Sequence, residues 1–191
     1  MAGYIGSKAA VVQTDGYTKT EAESRYANVT GDTFSGNVVV SGTLKSAGHV
    51  VQTVSYGSKD EGRVETSSTS FTATFLKASI TPTSTSSKIL VFVSGTANNN
   101  ATSGARICLT VYRDGSTDLA DGEPNGLTSL RSASSTRVEA GMACHGEDSP
   151  NTTSSVEYKV YVRNEDGAAT VEFPSGTSNE LPRITLLEIA Q

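Results

Sequence analysis

The chain has 191 residues, 36% of them hydrophobic, with no Trp and a formal net charge of −5, enough for one ordinary core plus a shorter segment. The basic residues are scattered and form no stripe that would track a phosphate backbone, which argues against nucleic acid as a partner. No run approaches the roughly 20 apolar residues that span a bilayer, and the opening residues lack the charged-then-apolar order of a signal peptide, so a soluble product of a cytosol is expected, with no membrane insertion.

Residues 1–14 have no core of their own yet carry Tyr4, Ile5, Val11 and Val12. A segment of that kind is expected to order by docking on another protein. From residue 15 to 55 the chain is poor in long apolar runs and punctuated by glycine. Thr18 stands at an N-cap position with Glu21 three residues on, and Tyr17 is placed to staple onto Ala22, which predicts a short helix. Ala22 and Tyr26 share one face of it, but so short a helix is marginal in water without partners. Glycines then recur every six residues at Gly36, Gly42 and Gly48. With Val38, Val39, Val40 and Leu44 between them, short strands winding closely about an axis fit better than a solvated linker.

The remainder, 56–191, reads as a β-domain. Strands are predicted near 62–66, 69–77, 88–94, 105–113, 127–131, 136–144, 154–163, 168–173 and 183–190, separated by Asp/Asn/Gly turns at 113–115, 121–126 and 164–167. That number suffices for two packed sheets. Ile107, Leu109 and Val111 alternate with Cys108, Thr110 and Tyr112, and Tyr158, Val160 and Val162 alternate with Lys159, Tyr161 and Arg163, so each strand should turn one face to a core. The runs 89–93 and 184–189 instead carry apolar residues on both faces. In a two-layer sandwich one of those faces needs a cover from outside, and a second copy of the chain is the expected one, through Leu90, Phe92, Leu187 and Ile189.

The segment DGYTKTEAESRYAN from Asp15 to Asn28, followed by TGDTFSGNVVVSGTL from Thr30 to Leu44, resembles the stalks of tailed-bacteriophage fibres. The stretches Ile80–Ser94, Val111–Gly115 and Arg183–Ile189 look like the C-terminal jelly-roll of phage and cyanophage fibre proteins, similar in plan to tumour-necrosis-factor-like trimers. The resemblance implies an all-β homotrimer with three parts. Residues 1–14 would attach to another virion protein of the tail, adaptor or capsid, 15–55 would form an extended stalk with one short helix, and 56–191 a β-sandwich pointing outward. Its place would be the virion, assembled in the host cytoplasm. A host-attachment fibre or tail spike, a head-decoration or capsid-stabilising fibre, and a glycan-degrading tailspike are the alternatives, and the family shares no catalytic residues or cofactor.

Site chemistry is sparse. Cys108 and Cys144 have neither metal nor redox spacing and read as buried or half-buried free thiols. Cys144, His145, Glu147 and Asp148 crowd together in sequence, but ligands at adjacent positions do not converge on one ion. Asp118, Asp121 and Glu123 lack an EF-hand pattern and read as turn chemistry. No catalytic or metal residues are assigned. For contact with a host glycan or protein, the predicted loops 96–104 and 145–153 supply amide and carboxylate groups, with Asn98, Asn99 and Asn100 as first candidates and Glu147, Asp148 and Asn151 as second.

Overall fold

The computed structural model describes residues 47–58, 61–99, 105–133, 137–167, 169–175 and 181–191. The attachment residues Tyr4, Ile5, Val11 and Val12, the short helix and most of the glycine-periodic stretch lie outside them, as does Asn100. The described residues belong to a compact unit that runs from Lys45 to Gln191 and contain strands and turns but no helix.

In chain order the strands are β1 (Val50–Gly57), β2 (Glu65–Thr66), β3 (Thr72–Ile80), β4 (Lys88–Asn99), β5 (Arg106–Arg113), β6 (Thr117–Asp118), β7 (Thr128–Arg131), β8 (Val138–Asp148), β9 (Val156–Asn164), β10 (Val171–Glu172) and β11 (Arg183–Ile189). They form two antiparallel sheets, a β-sandwich. One joins β1, β11, β4 and β8, with β10 and β2 continuing it beyond β11, and the other joins β3, β9, β5, β7 and β6. The pairs β1·β11, β3·β9, β4·β8 and β5·β7 nest one inside the next along the chain and alternate between the two sheets.

Two-residue alternation fills the space between the sheets. Ile89, Val91 and Val93 of β4, Ile184 and Leu186 of β11, Leu76 and Ile80 of β3, and Tyr158, Val160 and Val162 of β9 are buried there. Each large aliphatic side chain so placed contributes roughly 1.5–3 kcal/mol. Both cysteines are buried and unbridged.

Three boundaries differ from those read in the sequence. The sandwich starts before residue 56, because β1 pairs with β11 and sets Val54 and Tyr56 beside Leu186 and Ile184. Strand β4 continues to Asn99, so residues 96–99 are strand, and β8 continues to Asp148, which leaves only 149–155 as the loop that follows it. β5 is covered on its outer side as well. The excursion after Arg113 runs along its edge, with Leu119 N–H donating to Val111 O (2.9 Å) and Leu127 N–H to Leu109 O (2.8 Å), and brings Asp118 onto Thr110 and Asn125 to 4.0 Å from Cys108 Sγ. Cys108 and Thr110, on the side expected to be solvated, are therefore fully buried.

The inner face of β11 ends on a carboxylate. Glu188 is fully buried and accepts from Thr83 N–H, Thr83 Oγ1 and Ser87 Oγ at 2.7 Å each and from Gln52 Nε2 at 2.6 Å. The Ser/Thr-rich connection between β3 and β4 is thus tied to the end of the sandwich, and β1 with it. Burial pushes the Glu188 carboxyl up, but the hydrogen bonds from Ser87, Gln52 and Thr83 outweigh it and hold it below its usual value of 4.5. A value lowered on folding contributes stability above about pH 4.5 that is lost as the pH falls further. Glu188→Gln is expected to cost about 2 kcal/mol at neutral pH and to flatten this acid-side loss. Urea denaturation from about pH 3 to about pH 7 measures both, and an unchanged slope would assign the acid sensitivity to other carboxylates.

Candidate functional site

The outer face of the first sheet is built by the residues that alternate with the core. The β4–β11 register puts Leu90 beside Leu187, Phe92 beside Thr185 and Lys88 beside Ile189, and the β1–β11 register adds Val50 beside Ile189. The four residues expected to contact another copy, Leu90, Phe92, Leu187 and Ile189, thus stand together on one face. Phe92 is 44% exposed and Val50 50% exposed, high values for large apolar side chains on a sheet.

On the other side of β4, Phe92 lies beside His145 of β8, and the two rings stack at 6.4 Å between centroids and 29° between planes. Next to them is a shallow cavity of about 320 Å³ lined by Phe92, Ser94, Ala143, Cys144, His145 and Arg183. The rim is polar, with Lys88 paired to Glu147 and Arg183 donating to Ser55 Oγ at 3.2 Å. Alternation along β8 turns Cys144 inward and His145 outward, which separates the thiol from the imidazole. Burial pushes the Cys144 thiol up to about 12, far from a nucleophilic thiolate.

The candidates for host contact separate into two kinds. Asn98 and Asn99 are buried strand residues. Asn98 donates to Glu172 at 3.3 Å and accepts from Arg137 Nε at 2.9 Å, while Asn99 donates to Ala105 O at 2.9 Å. Their amides hold β4 to its neighbours and do not line a loop surface. Asp148 is also internal: Arg113 Nη1 donates to both its oxygens at 2.9 and 2.7 Å, and Tyr158 Oη–H donates at 2.7 Å. Burial first, then the Asp148 hydrogen bond, holds the Tyr158 phenol well above its ordinary range. Glu147 and Asn151 are exposed or nearly so, Glu147 on the rim and Asn151 in the turn after β8 with a positive φ of 54°. Asp118, in the acidic turn, accepts from Thr110 and from Ala120 N–H and closes that turn.

One group escaped the sequence reading. On the outer face of the second sheet Tyr112 and Tyr161 pack at 4.6 Å and 50°, Phe71 meets Tyr112 edge-on at 6.3 Å, and the Arg163 guanidinium lies 5.2 Å from the Phe71 centroid. Alternation marked Tyr112 and Tyr161 as outward-facing. Only the β5–β9 register makes them neighbours.

A scan against models of protein families finds none that matches this chain, and a search of curated proteins finds no match.

The two kinds of acidic residue at the end of β8 are separable by stability. Asp148→Ala leaves a half-buried guanidinium and a buried phenol without their acceptor and is expected to cost about 3 kcal/mol. Glu147→Gln breaks only an exposed pair and should cost less than about 1 kcal/mol. Equal losses for the two in chemical denaturation would refute this division.

Proposed function

We propose that this protein is a structural component of a tailed-phage particle, a homotrimeric fibre or spike that binds without cutting. The observation that carries the reading is the outer face of β4 and β11, where Leu90, Phe92, Leu187 and Ile189 form an apolar stripe with Phe92 exposed and the other three half-buried. Apolar surface of this kind, rimmed by the Lys88–Glu147 pair, suits burial against copies of itself.

The sandwich is read here as a jelly roll. Nested antiparallel pairs that alternate between two sheets are what a long hairpin makes when it rolls up, and this supports that topology over an immunoglobulin-like arrangement. With the stalk-like sequence of residues 15–44, it supports a trimer of the tumour-necrosis-factor-like plan. Residues 1–14 attach to another virion protein, and the sandwich faces the host surface. Of the residues considered for host contact, Glu147 and Asn151 have the accessibility that the role requires, and Asn98, Asn99 and Asp148 serve the protomer's own structure.

Sedimentation equilibrium of the full chain at micromolar concentration is expected to give three times the chain mass. Phe92→Asp and Leu187→Asp should shift it to the monomer, because a carboxylate buried without a partner costs several kcal/mol. Both side chains point away from the core, so the monomers should keep the β-sheet circular dichroism of the parent. A monomeric parent, or trimers in both folded variants, would overturn the assembly.

A further inference from the structure

The open edges of the two sheets differ in how they are guarded. β3 has a register irregularity between Ala73 and Lys77 and carries the exposed Lys77. β1 has a register shift between Val50 and Gln52, and β2, β6, β7 and β10 are only two to four residues long. Breaks, lysines and short strands of this kind keep sheet edges from pairing with other chains. β8 has none of them. Its eleven residues, Val138–Asp148, pair with β4 without a shift and include no Lys or Pro. Among the described residues the backbone of 140–147 makes no hydrogen bond outside that ladder. Gly141, Ala143 and His145 are exposed along it, and a Cβ added at Gly141 would meet nothing within 4 Å.

The side chains of β8 complement a second copy of the same strand. Alternation turns Glu139, Gly141, Ala143, His145 and Glu147 outward and Met142 and Cys144 inward. An antiparallel pair centred on Met142 keeps both sandwiches on one side of the joined sheet. It sets Glu139 opposite the partner's His145, Arg137 opposite the partner's Glu147, and Gly141 opposite the partner's Ala143. Two-fold symmetry makes each of these contacts twice. Within the protomer Glu139 and Glu147 are already paired, with Arg137 and Lys88, and across the joint each meets an imidazole or a guanidinium and no carboxylate. Centring on Ala143 would instead oppose Glu139 to the partner's Glu147, and like charges directly opposite destabilise a pair. Centring on Gly141 would face Glu139 with the partner's Ala143 and Arg137 with the partner's His145, which loses both charge contacts.

We propose that the free edge of β8 joins two copies of this chain as an antiparallel β8–β8 pair, running their first sheets into one. On the order of ten backbone hydrogen bonds form along such a pair. A single strand edge buries little surface, so the joint is weak, with a Kd on the order of 100 µM. It is separate from the outer face of β4 and β11 and goes beyond the fibre reading: it would link trimers where trimers form and single chains where they do not.

The test is sedimentation equilibrium of the full chain and of Leu187→Asp at about 5 µM and about 0.5 mM, on either side of that Kd, with amide hydrogen exchange at both concentrations. The mass at the lower concentration reads the trimer. Its rise toward twofold or more at the higher concentration reads this joint, so either can fail alone. Exchange in 139–146 should slow at the higher concentration, and more than in β1 or β3. His145→Glu sets carboxylates against Glu139 at two places and should weaken the association about fivefold or more. Glu139→Lys combined with His145→Glu exchanges the charges and should restore it to within about twofold of the parent. No rise in mass, slowed exchange in other strands without 139–146, or a double variant no tighter than His145→Glu would each overturn the proposal. Should the double variant fail to fold, the exchange at 139–146 and His145→Glu decide.

Discussion

Strand β4 is the constraint on which the rest of the protomer depends. It is hydrogen-bonded along both edges, to β8 on one side and to β11 and then β10 on the other. Its side chains alternate between faces with a period of two, so its register decides at once what enters the core and what faces outward. Ile89, Val91 and Val93 go inward and become fully or almost fully buried, while Leu90 and Phe92 go outward. A slip of one residue would exchange the two sets. It would also move Gly95, where a side chain would meet the Phe173 ring at 2.9 Å, and the inward Phe173 packing would be lost with it.

Buried polar groups pin the ends of the sandwich where apolar packing runs out. At one place Glu188 gathers Thr83, Ser87 and Gln52 and so joins β11, the connection after β3 and β1. At another, Asp148 gathers Arg113 and Tyr158 from the second sheet against the end of β8 in the first. Each bond contributes modestly, but an unmade bond at a buried position costs far more, so these clusters specify which strand ends meet. Acidic side chains placed there are structural, however polar the surrounding sequence looks.

With its interior committed in this way, the sandwich offers two outer surfaces of opposite character. The first sheet presents aliphatic side chains and Phe92 beside His145, a surface whose stability improves when water is excluded by an apolar partner. The second presents Tyr112, Tyr161 and Phe71 beside Lys159 and Arg163, with Glu157 and Asp118 among them. Assembly through one would leave the other accessible, because the two faces point away from each other across the core.

Much of this was legible in the sequence. Alternation in 105–113 and 156–163 located strands and their core sides, and the runs at 89–93 and 184–189, with apolar residues on both faces, marked Leu90, Phe92, Leu187 and Ile189 as side chains that face away from the core. Those signals are local: they depend on which residue types follow one another at spacing two. What the tertiary structure decided was register and covering. Asn98 and Asn99 look like loop residues because asparagine favours turns, yet pairing with β8 and β10 extends β4 through them and buries their amides. Asp148 looks like part of a polar loop, yet Arg113 and Tyr158, distant in sequence, claim it. Tyr112 and Tyr161 were each visible as outward residues, but their contact rests on the alignment of β5 with β9. A sequence lists the side chains on each strand's faces; which strands lie side by side, and at what offset, is set by contacts between residues far apart along the chain.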